Sequence, residues 1–352
     1  MIADKDATED LWEAALKKFV APETGDMVYL LTCPPLTSNA SKEWIFEIFF
    51  EKFKCKRMAL LQPGPLSLFS SGRSRGLVVE IGHSLTSAVP VFEGFPLAYA
   101  TQRMFRAGGA ITAALSQALA ECSWFDRHLH LCTIPVMEDM KCRLCRVAVP
   151  NLHSRVLKAE TPDFEERGFQ LPDGSVIDVI RGPIREINYS FLPMHCVLCP
   201  LQLDQQVRFG PAELLFDDSI EVRDTPNLDE VPPSLQSELH TCETLQSLVH
   251  SAIATTDPEF QEEMRKNIVL AGGSSLLKNF ANRLHGELLC IQPEEKDPFF
   301  IAADSHRRFS AWVGGSMLAS LGTFEKFCIS RHEYEDGGRP MADVIHERNV
   351  GR

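Results

Sequence analysis

Residues 70–94 limit what this chain can fold into more than any other stretch. Leu77, Val78, Val79, Glu80 and Ile81 form a β-branched, apolar run, Gly82-His83-Ser84 carries turn chemistry, and Thr86 to Phe92 runs back. That pattern predicts a β-hairpin. A hairpin tip built of Gly and Ser can turn backbone N–H groups toward a phosphate. A plain hairpin in an α/β core uses the same residues, and spacing alone favours that simpler reading.

Before the hairpin, periodicity predicts a helix over 8–20 with Thr8 as its cap and Leu11, Trp12, Ala15, Leu16 and Phe19 on one stripe. A strand is expected at 27–31. Ser41 then caps a helix with Trp44, Ile45, Ile48, Phe49 and Phe53 facing inward, and another strand covers 58–61. Pro63-Gly64-Pro65 is expected to break regular structure, with a short helix beginning at Leu66. After the hairpin, helices are expected over 110–122, 136–149 and 238–254. Leu171 to Gly174 reads as a turn between strands, and 217–235 as an acidic surface loop.

Asn267 to Ala271 is a strand entering Gly272-Gly273-Ser274, and a helix is expected to open there with Leu276, Leu277, Phe280, Leu284 and Leu288 on one face. A strand, glycines and a helix N-terminus can accept a phosphate or nucleoside. The segment 311–321 reads as a helix rich in small residues. Gly inside a helix costs ~1 kcal/mol, so this helix must approach another backbone closely.

The net charge of −13 over 352 residues argues against direct binding to nucleic acid or anionic membrane. No apolar run reaches the ~18–20 residues of a membrane span, and the start lacks the basic and apolar regions of a signal peptide. Eleven cysteines fit free thiols in a reducing compartment. Cys142/Cys145 and Cys196/Cys199 are CxxC pairs. Their separation of ~50 residues exceeds that of zinc ribbons and the first pair falls in an expected helix, so core or loop thiols are favoured over zinc. His195, beside Cys196, and His128 and His130, flanking Leu129, read as incidental.

Three segments together, 76–94, 267–288 and 310–334, resemble the actin family in the right order. Ser310 to Phe324 is similar to the family's C-terminal signature, as is Ile329 to Tyr334, and Val28 to Pro35 resembles a further family strand. The resemblance covers most of 9–337, is weak between about 150 and 265, and leaves 180–201 looking inserted. It implies an α/β, two-lobed actin-like fold, a duplicated ribonuclease H-like architecture. It further implies that 1–70 with 310–352 form a remnant of the first subdomain, 71–106 with 236–309 the third, and 107–235 the fourth. The family's first phosphate hairpin and small filament-contact subdomain would precede residue 1. A shortened chain, a misplaced start and a fragment are all compatible with this.

In the family a nucleotide and a divalent cation sit between the lobes. The resemblance places Glu80, Gly82, His83, Ser84, Gly108, Lys141, Gly272, Gly273, Ser274 and Arg308 around the nucleotide. Several positions depart from the family. Glu80 replaces an aspartate, moving the carboxylate by about 1.5 Å, and remains the one candidate for a cation, through water. His83 replaces a carboxylate, and imidazole is a poor ligand for Mg²⁺ or Ca²⁺. Pro63 stands where the family has its water-orienting glutamine. Gln62 is one residue off and reaches that role only if the Pro-Gly-Pro backbone rearranges. Glu138 stands for an arginine, Cys142 for a glutamate and Leu277 for a tyrosine, losses worth ~1–3 kcal/mol of binding.

The resulting expectation is a divergent actin-related protein that serves as a structural or interaction subunit of a cytoskeletal assembly, cytoplasmic, with weak ATP or ADP binding with Mg²⁺ and little or no hydrolysis. Its partners would be actin-family or other protein subunits, and self-polymerisation is not expected. The alternatives are an ATP-binding ATPase with a misplaced start and an actin-related subunit of a nuclear chromatin-remodelling complex.

Overall fold

The structure, a computed structural model, describes residues 4–19, 27–120, 122, 129–148, 169–179, 202–203, 205–220, 244–292, 299–336 and 341–350. In chain order these form α1 (Lys5–Phe19), β1 (Val28–Thr32), α2 (Asn39–Glu47), β2 (Arg57–Leu61), α3 (Pro63–Ser70), β3 (Gly76–Ile81), β4 (Thr86–Phe92), β5 (Phe95–Pro96) and β6 (Gln102–Met104). Next come α4 (Gly108–Ala120), α5 (Ile134–Leu144), β7 (Phe169–Gln170), β8 (Val176–Val179), β9 (Gln202–Leu203), α6 (Gln205–Glu213), α7 (Leu245–Thr255), α8 (Pro258–Lys266) and β10 (Ile268–Ala271). The chain closes with α9 (Phe280–Ile291), β11 (Ile301–Ala302), α10 (Ser310–Ala319), β12 (Ile329–Ser330), α11 (Arg331–Glu335) and α12 (Met341–Val350). It divides into two compact units, one of residues 1–75, 91–98 and 310–352, the other of 76–90 and 99–309.

The first unit is built on β1-β2-β12, with β1 parallel to β2 from Val28↔Arg57 to Thr32↔Leu61 and β12 antiparallel on the other side. Its core is aromatic. Phe46, Phe49 and Phe50 are buried, Trp12 stacks on Trp44, and Phe50 stacks on Tyr334 with centroids 4.7 Å apart. A π-helical turn, Ile48–Lys52, extends α2 and brings Phe49 and Phe50 into that core. Ser330 and Glu333 form a reciprocal capping box at α11.

Several expectations for this unit need correction. Asp4, not Thr8, caps α1, because its Oδ1 accepts the Ala7 N–H at 3.0 Å. The α1 stripe is only partly covered, since Trp12 packs on Trp44 and Phe49 while Leu11 and Phe19 are 67% and 77% exposed. Ser38, three residues before Ser41, caps α2. The Pro-Gly-Pro segment starts a helix instead of breaking one. Pro63 and Pro65 lie in the first turn of α3, where backbone N–H groups have no intrahelical acceptor.

The expected close approach of the small-residue helix is present. α10 packs on α3, and a Cβ at Gly314 would lie 1.8 Å from Leu66 O.

In the second unit β11, β10, β3 and β4 are consecutive neighbours, and β6 pairs with β4. β10 runs parallel to β3 with Ile268↔Leu77 and Ala271↔Glu80. The buried residues Leu77, Val79 and Ile81 belong to one core with Ile111, Leu115, Met140, Leu248, Leu270 and Phe280. β7 and β8 flank the expected 171–174 turn, and β8 pairs with β9.

Four helix boundaries differ here from expectation, and one is that of the helix expected over 238–254, which begins only at Leu245 because Thr244 is extended and its side chain caps the helix by accepting the Ser247 N–H. α4 begins at Gly108. α5 begins two residues early, with Pro135 in its first turn, and stops at Leu144 because Cys145 is extended. The helix expected at the glycine turn is a 3₁₀ turn, Gly273–Leu276, and α9 starts only at Phe280, after Asn279 adopts φ 70°. Thus no α-helix N-terminus follows Gly272-Gly273 directly. The expectations for 180–201, 221–235, 238–243, His128, His195, Cys196 and Cys199 lie outside the described residues.

Candidate functional site

Most of the residues singled out in the sequence meet in the second unit, where the tip of the β3–β4 hairpin faces the start of α4. Gly82 N–H donates to Leu85 O at 3.0 Å and closes the tip, leaving His83 and Ser84 exposed. The hairpin carbonyls then cap the helix. Gly108 N–H donates to Gly82 O at 2.9 Å and Gly109 N–H to His83 O at 2.6 Å. A Cβ at Gly108 would lie 2.3 Å from Ser274 Oγ and 2.8 Å from Gly82 O, so only glycine lets these three segments meet.

The glycine turn after β10 forms the other wall. Gly272 has φ 87°, and a Cβ there would lie 2.3 Å from Ile81 O. Ser274 Oγ–H donates to Gly82 O at 3.3 Å. Arg308, expected at the nucleoside, is exposed beside Gly273 with its guanidinium over Phe309. Its neighbour Arg307 braces the turn, donating to Ser275 Oγ at 3.0 Å and to Ser275 O at 2.8 Å.

Lys141 on α5 is only 4% exposed. Its ammonium donates to Gly108 O at 3.0 Å, Thr112 Oγ1 at 2.9 Å and Glu138 Oε2 at 2.5 Å. An ammonium has three N–H donors, and these contacts use all of them. Glu138 Oε1 accepts the Thr112 hydroxyl at 2.6 Å and lies 3.6 Å from His83 Nδ1. Burial opposes the charge on Glu138. The hydrogen bonds from Lys141 and Thr112, with the charges of Lys141 and His83, outweigh it and hold the carboxyl below the usual carboxylate range.

Glu80 is in the opposite condition. Burial alone pushes its carboxyl up to about 7, and no ion pair or hydrogen bond to it is found among the described residues. A carboxyl that holds its proton near neutrality orients the water shell of a hard cation poorly. Gln62 belongs to the first unit. It lines an apolar cavity of about 240 Å³ with Leu66, Phe69, Phe95, Leu318 and Phe327, and its Oε1 is buried without a hydrogen-bond partner.

These residues fit a Mg²⁺-nucleotide poorly. The buried Lys141 ammonium is neutralised by the chain itself, the first donors of α4 are capped by the hairpin, and burial pushes the Glu80 carboxyl up to about 7. The sequence placed Glu80, Gly82, His83, Gly108, Lys141, Gly272, Gly273 and Ser274 in one region, and the structure brings them together. Residue patterns missed Thr112 and Arg307, whose contacts span 29 and 32 residues. They treated Glu138 as a lost arginine, although its i,i+3 spacing to Lys141 marks a helical ion pair.

Among curated relatives, the chain is 30% identical to actin-like protein 7A of Rattus norvegicus over 340 residues, which is 96% of this chain and 66% of that protein. It is 29% identical to human actin-like protein 7B over 341 residues and 30% identical to bovine actin-like protein 9 over 339, covering 70% of each. It therefore spans about two thirds of the length of the relatives it matches. The family model described as Actin matches residues 1–349, and with the hairpin, the glycine turn and the close α3–α10 packing in place, the chain belongs to the actin family.

Proposed function

We propose that this chain is a structural, interaction-type member of the actin family, a subunit of a cytoskeletal protein assembly in the cytoplasm that binds nucleotide weakly and hydrolyses it little or not at all. One observation carries this above the others: Lys141 spends its three donors on Gly108, Thr112 and Glu138. The family scaffold is retained around that closed set of contacts, as the packing at Gly108 and Gly314 indicates. The net charge of −13 favours protein partners over nucleic acid, and no described helix is long and apolar enough to cross a membrane.

Calorimetric titration of the chain with Mg²⁺-ATP, paired with a phosphate-release assay, tests the proposal. The expected result is no saturable binding in the micromolar range and no phosphate release. Micromolar binding with turnover overturns it. Affinity capture with mass spectrometry addresses the partners, for which cytoskeletal subunits are expected. A chromatin-remodelling set would move the protein to the nucleus instead.

A further inference from the structure

Resting on the proposal above that nucleotide binds this site weakly, the geometry points to Glu138 as an internal counter-ion whose carboxylate holds the place an incoming anion would take, so that this one residue sets the specificity of the cradle against phosphates. Lys141 is the only buried lysine among the described residues, and its side chain ends among Gly108 O, Thr112 Oγ1 and Glu138 Oε2. Two of these acceptors are neutral. The third carries the full negative charge that balances the ammonium, and a buried cation requires such a partner.

The carboxylate is itself fixed at several points. Oε2 takes the Lys141 bond, while Oε1 takes the Thr112 hydroxyl and faces His83 Nδ1. His83 is seated by Gly109, where a Cβ would lie 3.1 Å from both His83 Nε2 and His83 O. The hairpin tip, the start of α4 and the middle of α5 are therefore joined through one carboxylate. An exogenous phosphate would meet Glu138 as a like charge and find no N–H left on Lys141. Glu138→Gln removes the charge at nearly constant shape. It leaves Lys141 with neutral acceptors only, which converts the site into one that recruits an oxyanion.

The test compares the full chain with E138Q and E138Q/K141M, using inorganic pyrophosphate and Mg²⁺-ADP as probes, by calorimetry and by the shift in melting temperature on adding probe. E138Q is expected to bind both probes at least tenfold more tightly than wild type and to gain melting temperature with pyrophosphate, while E138Q/K141M loses the gain. E138Q binding no better than wild type overturns the inference. So does a gain that survives K141M, since the anion would then sit elsewhere. If E138Q fails to fold, E138N takes its place, because it is likewise uncharged and its shorter arm lies further from Lys141, and the same direction of change is required. Tight binding by wild type would remove the proposed function, while the ratio of E138Q to wild type would still decide the role of Glu138.

Discussion

Lys141 Nζ and Glu138 Oε2 lie 2.5 Å apart one turn along α5, yet the two side chains differ in exposure, 5% for the lysine and 32% for the carboxylate. The pair is therefore asymmetric, and so are the expected costs of breaking it. Lys141→Met leaves a carboxylate that still reaches solvent and keeps the Thr112 hydroxyl, for a loss of about 1–2 kcal/mol. Glu138→Gln leaves a buried cation with neutral acceptors only, for about 2–4 kcal/mol. Urea unfolding in a buffer free of multivalent anions should rank E138Q as the less stable of the two.

Glu80 should make stability fall as pH rises. Its carboxyl titrates at about 7 in the folded chain, against 4.5 for the ordinary group. Below the ordinary value both folded and unfolded chains hold the proton, and the neutral group's contribution is fully present. Between the two values the unfolded chain ionises first, and above the folded value the contribution is gone. The span corresponds to at most about 3 kcal/mol, reduced by whatever solvent reaches the carboxyl. Glu80→Gln should remove this slope. The difference in urea midpoint between E80Q and wild type should grow in favour of E80Q from pH 5 to pH 8, and a constant difference would show that Glu80 is not desolvated.

The hairpin of β3 and β4 is legible in the sequence because β-branched residues alternate with a short polar turn, a local property. The helix face of Phe280, Leu284 and Leu288 is legible for the same reason. Two kinds of feature are not. Proline at 63–65 signals a break in regular structure, although the first turn of a helix tolerates it, and only the boundary at Gln62 distinguishes the cases. The second kind is contact at long range. His83 and Glu138 are brought together by the sheet and α5, and no spacing rule links positions so far apart. The stripe of α1, covered at Trp12 and open at Leu11 and Phe19, marks the reverse limit, since periodicity identifies a helix without saying what covers it.

Arg283 and Glu213 should behave as a buried pair that costs more to break than to replace. Two parallel bonds of 2.8 Å join them, Arg283 also donates to Ala148 O at 3.0 Å, and its guanidinium lies 4.8 Å from the Phe216 ring centroid. Glu213→Gln removes one of two counter-charges, since Arg283 Nε also donates to Glu287 Oε1 at 2.6 Å, and should cost about 1.5–3 kcal/mol in urea unfolding. Arg283→Met with Glu213→Leu should recover a substantial part of that loss. A double variant as unstable as the single one would mean that the Glu287, Ala148 and Phe216 contacts of Arg283, and not its pair with Glu213, hold this corner.

Gly314 should be the least tolerant position in the first unit. α10 runs against α3 so closely that a methyl group at Gly314 would lie 1.8 Å from Leu66 O and 2.6 Å from Leu66 C, both backbone atoms that no rotamer change can move. The neighbouring Gly315 has side-chain atoms instead, Leu30 Cδ2 at 3.4 Å and Leu66 Cδ1 at 3.6 Å, which yield by small rotations. Gly314→Ala must push the two helices apart, exposing the contact that also carries the Ser310 Oγ to Ser67 Oγ hydrogen bond of 2.9 Å. Overpacking of this kind costs about 1–3 kcal/mol and more when backbone must shift. Gly315→Ala gains helix propensity worth up to about 1 kcal/mol and meets only ordinary contacts. Thermal unfolding should therefore separate two adjacent and chemically identical substitutions, with G314A melting well below wild type and G315A within a few degrees of it. Equal melting temperatures would show that α3 and α10 are not in backbone contact.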